Sequence, residues 1–316
     1  AGSSSSGSGV ATALGLCTGS LGSDTGGSIR FPSSACGLVG IKPTYGRVSR
    51  FGVLDLAQTL DHVGPMTRDV RDAALILAVI SGFDENDLTT VPNIAPTFND
   101  IENTNLDGVT IGYSEHYSED GVDGEIVKAT RNVLEILQHH GATIKNIELD
   151  DIDSFLPAWK TLCTAEALNA HSAFFPERAL EYGLWFRGWL EHGLSVTSQE
   201  YIDASRQRVL CNGKLRKSFV DIDAMISPTV IKPPHYVDDS ISYGPMDDRR
   251  GTSFQRFTVP FDYNGYPTVS VPSGLNNDGL PLSIQVSGHP LSEPMLCRIA
   301  RTYEKSLGLT NFHPDL

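Results

Sequence analysis

The stretch from Val109-Thr-Ile-Gly-Tyr113 to Ala142-Thr-Ile-Lys-Asn-Ile-Glu-Leu149 decides the fold. Val109–Tyr113 reads as a strand. A helix follows, with Ile126, Thr130, Val133 and Leu137 on one face, and Gly141 stops it. Ala142–Leu149 reads as a second strand. Strand, helix, strand is a crossover unit that brings the chain back parallel to itself. The predicted class is therefore α/β, with a central mixed, largely parallel sheet flanked by helices.

Upstream, residues 83–107 are polar and form a long surface excursion. Before them a helix opens near Thr67, carries Val70, Ala73, Ala74 and Leu77 at helical spacing, and ends at Gly82. Another helix is predicted over Val10–Leu16, after a Gly/Ser loop. Downstream of residue 155 the pattern is helical for about sixty residues, and Thr197-Ser-Gln-Glu200 is a capping box for a helix reaching about Phe219. Short strands return at Ala224–Ser227, Thr268–Val271 and Leu282–Ser287, and a last amphipathic helix covers Glu293–Leu307. Strands at both ends with helices between predict one domain over 1–316. Within it, 1–150 is a core, 151–222 a helical insertion lining the pocket, and 223–316 the return to the sheet.

Composition excludes several classes. Hydrophobic residues make up 40% and charged residues 20% of 316, enough for a core and unlike a disordered or fibrous chain. The longest apolar run, Ala73–Ile80, is eight residues, too short to cross a bilayer. The net charge of −14 argues against direct nucleic-acid or membrane contact. Residues 1–50 carry four basic side chains and one acidic, net +3, which leaves −17 on the rest. Five cysteines at 17, 36, 163, 211 and 297 form no C-x-x-C pair, and they fit a reducing, cytoplasmic compartment. No H-E-x-x-H occurs, and the adjacent His139 and His140 would diverge on a helix, so no metal is expected. His62 and His171 sit in apolar neighbourhoods and read as core or pocket residues, with core favoured.

The chemistry concentrates at the start. Of the first 28 residues eight are Ser and eight are Gly, the composition of a linker. Yet the run is interrupted by the Val10–Leu16 helix and resumes as Gly22-Ser-Asp-Thr-Gly-Gly-Ser28. Linkers do not alternate with secondary structure in this way. A phosphate cradle fails for want of Gly-Lys-Ser/Thr or a G-x-G-x-x-G in the first cluster. A serine nucleophile fits better: the Gly26-Gly27-Ser28 turn lets backbone N–H groups converge beside a hydroxyl. Such a serine needs a base. Neither G-x-S-x-G nor S-x-x-K is present, so the base comes from the first loop or from outside this sequence.

Gly2-Ser-Ser-Ser-Ser-Gly-Ser8 followed by Gly22-Ser-Asp-Thr-Gly-Gly-Ser-Ile-Arg30 resembles the amidase signature family. The resemblance continues through Cys36-Gly-Leu-Val-Gly-Ile-Lys-Pro-Thr-Tyr-Gly-Arg-Val-Ser49 and Leu60-Asp-His-Val-Gly-Pro-Met-Thr-Arg68. It is weaker at Ala224-Met-Ile-Ser-Pro-Thr229 and Gly279-Leu-Pro-Leu-Ser-Ile-Gln-Val-Ser-Gly288. It implies the amidase-signature fold and a Ser–cis-Ser–Lys triad, with no cofactor. By position, Ser28 is the acyl-enzyme nucleophile and Ser4 the serine after a cis peptide, which relays the proton. The N–H groups of Thr25, Gly26, Gly27 and Ser28 match the oxyanion hole, and Ser5, Asp24 and Arg30 support the loops, the last two by hydrogen bonding and ion pairing. Ser3 stands where the family usually has glycine. The family's lysine lies upstream of the first serine loop, and Lys42 belongs to a different, structural landmark. The expectation is therefore an N-terminally truncated amidase with a natural end at Asn311–Leu316 and little turnover by itself.

The implied reaction is hydrolysis of a carboxylic amide C–N bond in a small molecule, with a homo-oligomer left open. The alternative is the glutamine-amidase A subunit of a tRNA-dependent amidotransferase. Phe186-Arg-Gly-Trp189 and Gln255-Arg-Phe-Thr-Val-Pro260 lack the paired arginines and the acid that the resemblance leads one to expect of that subunit. This favours a stand-alone amidase. A non-catalytic binder is disfavoured because Ser4 and Ser28 are both present. Pocket walls are expected around Trp159–Trp189 and Phe254–Tyr263.

Overall fold

The computed structural model describes residues 2–92, 95–149, 151–234 and 253–308; the predicted natural end at Asn311–Leu316 lies outside them. The strands are β1 (Gly19–Asp24), β2 (Val39–Lys42), β3 (His62–Thr67), β4 (Thr110–Tyr113), β5 (Thr143–Asn146), β6 (Ala224–Pro228), β7 (Thr268–Leu275) and β8 (Pro281–Gly288). The helices are α1 (Ser6–Ala13), α2 (Arg30–Ala35), α3 (Val70–Ile80), α4 (Glu115–Glu119), α5 (Gly124–His139), α6 (Pro157–Ala170), α7 (Leu184–Ser195), α8 (Ser198–Ser218), α9 (Val259–Asn264) and α10 (Glu293–Leu307).

The crossover read from 109–149 is present. Ile126, Thr130, Val133 and Leu137 are buried on α5, and β4 and β5 pair in parallel from Thr110↔Thr143 to Tyr113↔Asn146. The eight strands form one sheet in the order β1-β3-β2-β7-β8-β6-β4-β5. The expectation of a largely parallel sheet is corrected. Only β4–β5 and β4–β6 are parallel, whereas β1–β3, β2–β3, β2–β7, β6–β8 and β7–β8 are antiparallel. The physical reason is connectivity: β7 and β8 are joined by a short turn in which Gly279, at φ 76°, returns its N–H to Asn276, and a short turn can only join antiparallel strands.

Three strands escape the sequence pattern: β1, the four-residue β2 and β3. β1 is Gly-Ser-Leu-Gly-Ser-Asp at the sheet edge, so it lacks alternating apolar residues. β3 contains Pro65, yet β2 pairs only with Met66 and Thr67, so the missing proline N–H is not needed on that side. At Gly64 a Cβ would overlap the Ile41 carbonyl oxygen, and glycine permits this close strand approach. α1 starts earlier than predicted because its serines are tied to β1. Ser8 Oγ donates to Leu21 O at 2.9 Å, and the Thr12 and Ser20 hydroxyls meet at 2.8 Å. Tertiary bonds override the weak helix propensity of Gly and Ser.

Successive residues of a strand face opposite sides, and β6 shows the two cores. Ala224 and Ile226 join the apolar layer formed with α3, α5 and α10. Met225 points the other way, into a layer with Leu162, Trp189, Leu215 and Phe261 from α6–α9. The Thr197–Glu200 capping box opens α8 as read. Residues 151–222 are therefore helices packed on the second face, and α6 brings Trp159 to the end of β1.

Candidate active site

β1 ends at Asp24 and α2 begins at Arg30; the turn between them is wound around one carboxylate. Asp24 Oδ1 accepts the Gly27 N–H at 2.7 Å, and Oδ2 accepts the N–H groups of Ile29 at 3.0 Å and Arg30 at 3.3 Å. Arg30 adds Nε to Oδ2 at 3.0 Å and Nη2 to Oδ1 at 2.8 Å. Glycine is required at 27, where φ is 128° and a Cβ would lie 2.5 Å from the Phe31 ring.

Behind the turn lies a buried ion cluster. Arg30 Nη2 also lies 2.8 Å from Asp262 Oδ2, and Nη1 donates to Thr258 O at 3.0 Å. Burial alone would raise the Asp24 carboxyl, but the Arg30 charge and hydrogen bonds overcome it and hold the group well below the ordinary carboxylate range. Asp262 goes the other way: burial pushes it well above that range, with Arg30 opposing and the Asp24 charge adding to the rise. Burial brings the Lys42 ammonium down to about 7, although Asp262 opposes this. Burial, reinforced by Lys42, keeps the His62 imidazole neutral. His62 Nδ1 lies 3.2 Å from the Asp24 carbonyl, so it is the protonated nitrogen of the ring.

The Ser28 side chain is half-buried and its hydroxyl has no hydrogen-bond partner among the described residues. The N–H groups of Thr25, Gly26 and Ser28 are likewise unpaired among the described residues. The Gly27 N–H departs from its expected place in the oxyanion hole. It is spent on Asp24, and the carbonyl of the same peptide, on Gly26, is held by the Thr258 hydroxyl at 2.7 Å. Thr25 is anchored by its hydroxyl, which donates to buried Asp61, and Asp61 also accepts the Leu56 N–H at 2.8 Å.

Asp24 and Arg30 are joined to the turn and to each other by the hydrogen bonds and ion pair given above. Ser5 is clasped to β1, its Oγ 3.2 Å from the Ser23 nitrogen and 3.3 Å from the Ser23 oxygen. Ser4 differs from expectation. It is exposed, at φ 52°, no hydrogen bond joins it to Ser28, and the bond before it is trans, because the one cis bond among the described residues is Phe175–Pro176. Ser5 N–H closes on Ser3 O at 2.9 Å, so Ser4 is the centre of a tight three-residue turn. A cis bond between non-proline residues costs roughly 3 kcal/mol and needs packed surroundings, which this exposed loop does not supply. Lys42 is structural, as read: its Nζ donates to Tyr266 O at 2.8 Å and Pro43 O at 3.2 Å.

Asp262 and Thr258 escape sequence reasoning, which favours core over pocket for His62. A signal exists in Val259-Pro-Phe-Asp262-Tyr, where one acid stands in an otherwise apolar run. Trp159, expected in the pocket wall, donates its Nε1–H to Thr25 O at 2.8 Å. Its ring covers Gly26, where a Cβ would lie 2.6 Å from the indole. Trp189 backs it at 5.6 Å between ring centroids, and Trp185 stacks on Trp189 at 5.1 Å. Phe31 and Phe254 form the opposite aromatic pair, at 5.8 Å. Among the described residues no group of three or more His, Cys, Asp or Glu could hold a metal ion, and no helix is long and apolar enough to cross a membrane.

A mixed α/β sheet with a serine turn of this kind defines a class, and comparison with known proteins identifies it. The family model described as Amidase matches residues 1–297. The A subunit of glutamyl-tRNA(Gln) amidotransferase from Clostridium botulinum (strain Eklund 17B / Type B) is 34% identical over 339 residues, covering 100% of this chain and 69% of its own length. The crystal structure of the same-named protein from Thermotoga maritima superimposes with a TM-score of 0.80 at 31% identity, over 95% of this chain and 64% of that one. The peptide amidase PAM, solved with the competitive inhibitor chymostatin, gives a TM-score of 0.81 at 26% identity, over 98% of this chain and 67% of that one. The chain belongs to the Amidase family, and it spans about two thirds of the length of these relatives.

Proposed function

We propose that this protein hydrolyses carboxylic amides through an acyl-enzyme on Ser28. Ser28 Oγ attacks the amide carbonyl carbon, the C–N bond breaks, and the serine proton leaves on the departing ammonia or amine. Water then cleaves the ester and returns the proton to Ser28. The observation that carries this reading is the pairing, on one turn, of a Ser28 hydroxyl with three N–H groups, of Thr25, Gly26 and Ser28, all without partners among the described residues. Preorganised N–H donors of this kind stabilise the oxyanion of the tetrahedral intermediate. Ser4 is the proton relay in this proposal, which requires the exposed Ser3–Ser4 loop to rearrange towards Ser28. The five free cysteines fit work in a reducing, cytoplasmic compartment.

The surroundings favour an uncharged amide over glutamine. Free glutamine carries a carboxylate and an ammonium, and both need partners when buried. Arg187 of the insertion and Arg256 of the 255–260 segment are already engaged. Arg187 lies 3.6 Å from Glu191, and Arg256 is bound to Asp153 at 2.5 Å and to the Asp120 carbonyl. The walls nearest the turn are Phe31 and Trp159. The second reading, a glutamine-amidase A subunit, is favoured by the likeness to the amidotransferase proteins.

Labelling by a fluorophosphonate probe tests the first reading. The label is expected on the full-length wild-type protein and absent from its Ser28→Ala variant; label retained by the variant would end the assignment of Ser28. Turnover of glutamine exceeding that of an aryl or alkyl amide would reverse the order of the two substrate readings.

A further inference from the structure

A trans peptide group is flat, and its C=O and N–H point in opposite directions. Holding the carbonyl of one residue therefore aims the N–H of the next. The turn uses this four times in succession. His62 Nδ1 holds the Asp24 carbonyl at 3.2 Å, which aims the Thr25 N–H. Trp159 Nε1 holds the Thr25 carbonyl at 2.8 Å, which aims the Gly26 N–H. Thr258 Oγ1 holds the Gly26 carbonyl at 2.7 Å, and the N–H of that same peptide, on Gly27, ends on Asp24. The Phe31 N–H closes on the Gly27 carbonyl at 2.7 Å, which aims the Ser28 N–H.

These clamps are not equivalent. The Gly26–Gly27 peptide is pinned at both ends, so losing one bond leaves the other. The bond to the Gly27 carbonyl comes from the adjoining α2 and forms with that helix. The Thr25–Gly26 peptide is held at its carbonyl, among the described residues, by Trp159 alone. An indole N–H only donates, so it cannot exchange roles with the carbonyl. The ring itself lies against Gly26 and is backed by the buried Trp189.

We infer that Trp159, carried by the helical insertion, is a positioning residue for the oxyanion site, its indole N–H setting the direction of the Gly26 N–H. The inference rests on the proposed function, in which the N–H groups of Thr25, Gly26 and Ser28 receive the oxyanion. It assigns to the insertion a part in the chemical step as well as in lining the pocket.

Trp159→Phe keeps an aromatic ring and removes the donor. With kcat counted per fluorophosphonate-labelled site in the full-length protein, it is expected to fall about tenfold or more on a simple aryl amide, while KM stays within about twofold, the pattern of a lost transition-state interaction. Affinity for a trifluoromethyl ketone, which adds to a serine as a tetrahedral oxyanion, should fall by the same factor. A purely structural role would lower the melting temperature or the number of labelled sites but leave kcat per site unchanged, and that result overturns the inference. If Trp159→Phe fails to fold, benzothienylalanine at 159 replaces the N–H by sulfur in the same shape and gives the same decision. Thr258→Val should cost less kcat than Trp159→Phe, and Thr258→Ser should restore it. Label that persists in Ser28→Ala, or no label on the wild type, removes the proposed function and this inference with it. Label lost in Ser28→Ala with an unaffected Trp159→Phe removes this inference alone.

Discussion

Arg30 meets Asp24 side-on, Nε to Oδ2 at 3.0 Å and Nη2 to Oδ1 at 2.8 Å, and neither side chain reaches solvent. A buried pair of this kind adds little by its own Coulomb attraction once desolvation is counted. Its value here is geometric. The carboxylate that holds Arg30 also holds the N–H groups of Gly27, Ile29 and Arg30, so one ion pair sets the path of the whole turn.

Asp24→Asn should therefore destabilise the protein by about 3–5 kcal/mol, the usual cost of leaving one partner of a buried pair uncompensated. The pH dependence has a definite sign. The native carboxyl titrates below its ordinary value of 3.8, so as pH falls past that value the unfolded chain takes up a proton that the native state refuses. The contribution is fully present above that value and is lost as acid is added below it. Urea unfolding at several pH values should show this acid slope in the wild type and its loss in Asp24→Asn.

Gly27→Ala places a Cβ 2.5 Å from the Phe31 ring at a φ of 128°. Phe31 cannot move away freely, because α2 starts one residue before it. Activity per folded molecule should fall at least tenfold, because the Ser28 N–H is displaced with the turn, and stability should drop by about 1–3 kcal/mol. Thermal melting and amide hydrolysis check the two effects separately.

Thiol chemistry should divide the cysteines in two. Cys17 and Cys36 are partly accessible, and Cys163, Cys211 and Cys297 are buried. Burial raises the Cys36 thiol and pushes Cys211 up to about 12, which suppresses the reactive thiolate. A native-state titration with an aromatic disulfide should consume two thiols, Cys17 before Cys36, and all five only in denaturant.

Thr197→Ala removes the hydroxyl that takes the Glu200 N–H at 3.2 Å at the start of α8. It should cost about 1 kcal/mol, read as a lower urea midpoint at unchanged slope. The turn at Ser28 is distant in sequence and should keep its fluorophosphonate reactivity.

The parts of the fold legible in the sequence are those whose burial is local and periodic. The α5 crossover, the α8 capping box and α10 follow from the spacing of apolar residues and from side-chain caps. β1, β2 and β3 were not legible because glycine, serine and proline interrupt β1 and β3 and β2 is only four residues long, and the close approach of β3 to β2 depends on Gly64. At the site, Ser28, Asp24 and Arg30 were legible because they lie within a few residues of one another. His62, Thr258 and Asp262 come from segments far along the chain. Nothing in the local pattern marks a histidine or a threonine as the holder of a particular carbonyl.

Those separations have a consequence for how the protein matures. The three side chains that grip successive carbonyls of the turn stand 38, 134 and 232 residues away from their acceptors. No stretch emerging first from the ribosome can assemble the donors by itself, because the last grip waits for residue 258. A nascent chain thus exposes Ser28 early as an ordinary, unreactive hydroxyl. On the proposed acyl-enzyme role of Ser28, reactivity towards an electrophile arrives only when the far segments have docked, and it serves as a stopwatch for the completion of folding.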